Sequence, residues 1–192
     1  ARLQRAGAGS RAVTLARAGR RLALLLAVVL TLGGCYKVRA PLVDRNDEKI
    51  AATLVGQYYQ FKDLPEPKDW TALKDEWATA FEIKRDAEVG QYQVLGRSSE
   101  GAPTKPMAAR VAALDEATVL GQVAFPTGET FVLLLRRDAN GIVRTARGAD
   151  GKYPPLPAGD PARQLAILRN LAASKAMVWS PLLVPRALVE GK

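Results

Sequence analysis

From Trp77 onward, apolar residues recur at every second position in runs of strand length, and short turns break the runs. That pattern constrains the fold more than any other feature, because only a pleated strand puts alternate side chains on one face. Trp77, Thr79, Phe81 and Ile83 share one face, while Ala78, Ala80, Glu82 and Lys84 share the other. Asp86 to Gly90 supplies a turn, and Gln91–Leu95 alternates again to complete a hairpin. Arg110–Leu114 and Thr118–Phe125 flank a tight turn at Asp115-Glu116. Phe131–Leu135 is a continuous apolar run, expected to be buried on both faces, and Ile142–Arg147 follows the Asp138-Ala139-Asn140-Gly141 turn.

Register at that turn follows from charge. A two-residue Asn140-Gly141 loop would set Arg137 opposite Arg144, and like charges directly opposed destabilise a strand pair. A four-residue loop, pairing Arg137 with Ile142 and Leu135 with Arg144, is therefore expected.

Before the meander, Asp47–Val55 begins as a helical turn with Ile50 and Leu54 on one face, and Gln57–Phe61 reads as an aromatic strand. Proline then forces a loop at Leu64-Pro65-Glu66-Pro67, and Asp69–Glu76 reads as a short helix. After the proline-rich 153–157, Asp160 is an N-cap and Pro161 a first helical residue for a helix over 161–174. Its apolar stripe is Leu165, Leu168 and Ala172, widened by Ile167 and Leu171. The tail, with Trp179, Leu182, Leu183, Val184 and Leu188, is apolar enough to dock on the sheet. Consecutive strands joined by short turns pair antiparallel. The expected fold is therefore α+β: an antiparallel meander of about six to seven strands, barrel-like or half-open, with the C-terminal helix packed on it.

The N-terminal part reads differently. Arg17, Arg20 and Arg21 precede the apolar Leu22–Leu32, and Gly33-Gly34 then leads into Cys35, the chain's single cysteine. A positive end, a short apolar core and small residues make a secretory signal, and the apolar run is shorter than the roughly 20 residues a membrane-spanning helix needs. Leu32-Gly33-Gly34-Cys35 resembles the lipobox of bacterial lipoproteins. The resemblance implies cleavage before Cys35, diacylglycerol on its sulfur and an acyl chain such as palmitate on the new amino group. Two or more chains give a stable anchor. Residues 1–34 are then a signal peptide, 35–46 a lipidated tether and 47–192 one globular domain. No methionine precedes Met107, and a start at Val13 or Leu15, leaving 1–12 untranslated, would give a signal of conventional length. Tyr36 follows the cysteine, where aspartate would favour inner-membrane retention, so the resemblance points to the inner leaflet of the outer membrane, facing the periplasm.

The formal charge of +9 is concentrated in that signal. Six of the 28 basic residues precede Cys35 and all 19 acidic residues follow it, leaving 22 basic against 19 acidic residues, a net +3. Those charges are scattered, without the basic face a nucleic-acid binder needs. The chain has no histidine, which removes the commonest metal ligand and neutral-pH base and every histidine-dependent nucleophile system. No metal or cofactor is expected. The candidate residues are therefore binding groups: Arg136, Arg137, Arg144 and Arg147 for an anion, and Tyr58, Trp77, Tyr92 and Trp179 for an apolar pocket. Gly56-Gln57-Tyr58 resembles the glycine-x-tryptophan that opens lipocalin strands, which implies a carrier of a small apolar ligand. The expected role is a membrane-anchored, non-catalytic binding or assembly module that meets an envelope protein or apolar ligand. The lipocalin-like carrier and a histidine-independent hydrolase are its alternatives. Cys35→Ser should release the protein from the membrane fraction, and undiminished membrane retention would reject the anchor.

Overall fold

The computed structural model describes residues 36–61, 67–87, 91–99, 101, 103–148 and 156–192. Cys35 and the lipobox residues Leu32, Gly33 and Gly34 lie outside the described residues, as do the rest of 1–34, the proline loop at 64–66, the turn end at 88–90 and Pro154-Pro155. From Tyr36 onward the described residues form one compact unit.

Nine strands occur among the described residues, and all pair antiparallel. They are β1 (Tyr36–Val38), β2 (Gly56–Phe61), β3 (Trp77–Arg85), β4 (Tyr92–Ser98), β5 (Met107–Ala113), β6 (Val119–Ala124), β7 (Thr130–Arg137), β8 (Val143–Gly148) and β9 (Met177–Pro185). From β2 to β9 each strand pairs with its successor in sequence, and β9 returns to β2. The result is a closed eight-stranded up-and-down barrel, a geometry that removes exposed sheet edges. β1 is an extra strand on β7. Three helices, α1 (Glu48–Leu54), α2 (Pro161–Ala173) and α3 (Arg186–Glu190), and a 3-10 turn at Trp70–Leu73 pack around it.

The expected six to seven strands become nine because two segments carry weak strand signals. Tyr36–Asn46 was expected to be a tether, yet it is folded. Tyr36–Val38 pairs with Thr130–Val132, and Leu42 and Val43 are buried with both N–H groups donating to Gln122 Oε1, at 2.7 and 3.1 Å. Three residues are too few for alternation to show. β9 holds Pro181 and Pro185, which argue against a strand. Pro181 sits opposite Arg144 where the register shifts, and Pro185 ends the strand, so neither interrupts a regular ladder.

α2 decides which strand face points outward. Its buried Leu168 and Ala172 pack on Leu120, Val132, Leu134 and Ala146, so those positions face the helix, outside the barrel. Positions one residue away, including Leu133, Leu135 and Thr145, line the interior. A Cβ on inward-facing Gly121 would lie 2.7 Å from Leu135 Cδ1, so side chains fill the barrel at that level. Full burial of Leu168 contributes about 1.5–3 kcal/mol. The N-cap forms as the sequence implies, Asp160 Oδ2 accepting from Arg163 N–H at 3.1 Å. Gln164 is buried with the stripe because its amide donates to Pro157 O at 3.0 Å.

α1 lies across one end of the barrel. Tyr58 of β2 donates to Leu54 O at 3.0 Å and Tyr92 of β4 donates to Glu48 Oε2 at 3.0 Å. Asp47 N–H donates to Val111 O of β5 at 2.8 Å. Asp47 also caps the helix, its Oδ1 accepting from Lys49 and Ile50 N–H.

The β7–β8 turn departs from the charge-based register. Arg137 pairs with Val143 and Arg136 with Arg144, so two arginines are directly opposed after all. Both are diverted. Arg144 donates from Nε and Nη2 to Asp138 Oδ2, at 3.1 and 3.0 Å. Arg136 lies 4.0 Å from the Trp179 ring and donates to Thr118 Oγ1 and Ala172 O, each at 3.1 Å. Asp138 Oδ1 accepts from Asn140 and Ile142 N–H at 3.0 Å, while Gly141 takes φ +79°. One carboxylate thus shapes the loop and neutralises a charge. Asp138→Ala should lower stability by about 2–3 kcal/mol in urea unfolding, with Asp138→Asn losing less because its amide oxygen still accepts the two turn N–H bonds. An unchanged midpoint in Asp138→Ala would contradict this role.

Candidate functional site

A cleft of about 410 Å³ opens on the outer wall of β2, β3 and β4, with Arg186 of α3 and Pro103 at its margins. Its volume is in the range of small-molecule sites. Tyr59 and Trp77 form an aromatic pair there, with ring centroids 5.2 Å apart and planes 23° from parallel. Adjacent strand residues point to opposite faces. Tyr58 therefore enters the barrel and Tyr59 the outer wall. The register shifts between Gln60 and Phe61, and Trp77 packs against Tyr59 on this outer side. Ala80, opposite Tyr59, leaves room beside the rings.

The rim is polar and of mixed sign. Arg97 pairs with Ala80 across β3–β4, and Glu82 pairs with Leu95. Both charged side chains are exposed and have no side-chain partner among the described residues. Gln57 Oε1 accepts from Arg186 Nη1 at 3.2 Å, and the Arg186 guanidinium sits 5.9 Å from the Tyr59 ring centre. Tyr59 OH donates to Glu190 Oε1 at 3.1 Å, so α3 braces the pair from behind. The Lys192 ammonium and the Arg186 guanidinium pull the Glu190 carboxyl down to about 2. Burial, then the bond to Glu190, pushes the Tyr59 hydroxyl up. An aromatic floor with an amide, a carboxylate and guanidinium groups at its edge suits a flat apolar ring bearing polar substituents. The lining contains no serine, cysteine or lysine. No group of three or more carboxylates among the described residues is placed to hold a metal ion.

The eight candidate residues named from sequence do not converge. Arg136 and Arg144 are committed on the outer wall, as described above. Arg137 is exposed at the α1 end, near enough to Tyr58 to act on its charge. Arg147 points inward at the opposite end. Of the aromatics, Tyr58 and Trp77 both line the cleft. Tyr92 reaches α1, and Trp179 lies under Arg136 beside α2. Burial raises the hydroxyl pKa of both Tyr58 and Tyr92. Tyr59, Glu82, Arg97 and Arg186 were missed as site residues. The Tyr58-Tyr59 pair held a usable signal, since only one of two adjacent strand residues can face inward. Nothing in the sequence places Arg186 beside β2.

No helix among the described residues is long and apolar enough to cross a membrane. No family model, curated protein or solved structure matches the chain.

Glu190 gives the site a pH signature. Its folded pKa, about 2, lies below its ordinary 4.5, so its contribution is complete above the ordinary value and lost as pH falls toward 2. Glu190→Gln should flatten the acid side of the stability profile in that window, read by thermal unfolding against pH. A profile identical to the parent would contradict the assignment.

Proposed function

We propose that this chain is a lipid-anchored protein of a bacterial cell envelope whose barrel binds a ligand in the Tyr59–Trp77 cleft. The cleft carries this reading, because it joins an aromatic platform to charged groups, Arg97 and Glu82, that have no side-chain partner among the described residues. The anchor is acylated Cys35, at the inner leaflet of the outer membrane. Tyr36, the next residue, is already paired with Val132 and buried. A lipid on Cys35 therefore leaves about one Cα–Cα step of 3.8 Å before the folded body. The barrel rides against the bilayer rather than on a slack leash.

A second reading, the lipocalin-like carrier with its ligand inside the barrel, is favoured by one observation. Eight consecutive strands close on themselves with α1 across one end, and Gly56-Gln57-Tyr58 opens the first barrel strand.

The two readings separate with 8-anilinonaphthalene-1-sulfonate, an anionic aromatic probe that suits both the rings and Arg97. Trp77→Ala and Arg97→Ala should each weaken its binding at least about tenfold, the cost of one good aromatic or charged contact. Trp179→Phe, on the far side under α2, should leave it unchanged. Full-affinity binding in Trp77→Ala would reject the cleft as the site.

A further inference from the structure

The barrel interior holds a group of polar atoms that have no partner among the described residues. Gln60 is 5% exposed and Thr145 is fully buried, yet Gln60 Oε1 and Thr145 Oγ1 form no hydrogen bond. Ser98 Oγ and Arg147 Nε are buried and unbonded as well. An unmet buried polar group is destabilising, so four together call for an explanation.

The pairing registers bring them to one place. Gln60 faces Thr79 and Thr79 faces Ser98, so β2, β3 and β4 present a polar row on the inner wall. Thr145 and Arg147 are two apart on the inward face of β8, which β9 alone separates from β2. β2, β4 and β8 run in the same direction; Gln60, Ser98 and Arg147 fall in the closing half of their strands, and Thr145 is the inward position next to Arg147. They therefore gather at the barrel end opposite α1. By the registers, the inward positions of the eight barrel strands include no aspartate or glutamate. Arg147 thus has an inward cationic side chain and no ion pair among the described residues. The side chain is half-buried, and its Nε is the guanidinium atom that is buried without a partner.

We infer that this end of the barrel is a binding site for a small oxyanion that also carries a hydroxyl group. Arg147 Nε–H and the Ser98 and Thr145 hydroxyls donate to the anion's oxygens. Gln60 Oε1 accepts from the anion's own O–H. A singly protonated phosphate and an α-hydroxycarboxylate share this chemistry; sulfate and acetate lack the O–H at neutral pH. The site lies on the inner wall and stands apart from the outer cleft. It extends the carrier reading only in placing a ligand within the barrel.

The purified full chain is titrated calorimetrically at neutral pH with phosphate, sulfate, glycolate and acetate, and thermal unfolding is followed with each. Phosphate or glycolate should bind, sulfate and acetate at least about tenfold more weakly. Phosphate without glycolate identifies a phosphate site, and glycolate without phosphate a hydroxyacid site. Arg147→Gln should abolish binding. Thr145→Val removes an unmet hydroxyl at nearly constant shape, so it should raise the melting temperature without ligand and reduce the ligand-induced shift. Binding of none of the four anions would overturn the inference, leaving the atoms to ordered water. Equal affinity in Arg147→Gln would overturn it too, as would a lowered melting temperature with unchanged binding in Thr145→Val. None of these outcomes bears on the dye in the outer cleft, so the two sites fail separately.

Discussion

Strand β7 has two hydrogen-bonding edges, and the division of one of them decides whether the sheet closes. One edge is taken along its length by β6, Val119–Ala124 against Thr130–Leu135. The other is divided, with Leu135–Arg137 paired to β8 and Thr130–Val132 paired to β1. Barrel closure at this seam thus rests on three register pairs. A ladder that short is weak alone, and outside packing reinforces it. α2 lays Leu168 and Ala172 across β6, β7 and β8, and Arg136 ties β7 to Ala172 while resting on Trp179 of β9. Without β1, the lower half of the β7 edge would be an open template for another chain.

The same seam explains why two opposed arginines are tolerated. Like charges across a strand pair repel only if both side chains stay where they face each other. Arg144 bends to Asp138 in the adjoining turn, and Arg136 bends to a ring and a carbonyl beneath α2. Tertiary partners outrank the pairwise rule because each supplies a directed, partly desolvated contact. Among the described residues Arg147 has no such partner; it lies two residues past the last β7–β8 pair, where β8 has left β7 for β9 alone.

Much of the architecture was legible because alternation is a backbone property. The β3–β4 hairpin, the β5–β6 turn and the capped helix α2 follow from residues close together in sequence: Phe81 with Ile83, Asp115 with Thr118, Asp160 with Arg163. Strands β1 and β9 were obscured, the first by its length and the second by its prolines. The site was far less visible. Tyr59 and Trp77 sit on neighbouring strands whose register a bulge resets, and Arg186 is brought to Gln57 from 129 positions away. Periodicity assigns a residue to a face but says nothing of what the opposite wall brings to it.

The sequence by itself determined an antiparallel, β-rich body ending in a helix and an apolar tail, because the twofold repeat of strands and the chemistry of turns and caps act within a few residues. It also placed a cysteine behind a signal-like apolar run. Only the tertiary structure decided that the sheet closes, that the expected tether is a strap, and that the eight candidate side chains scatter while others converge. Those outcomes depend on which distant strand claims an edge, and on where an arginine finds its counter-charge once the walls meet. Both are settled by packing in three dimensions, which no local pattern encodes.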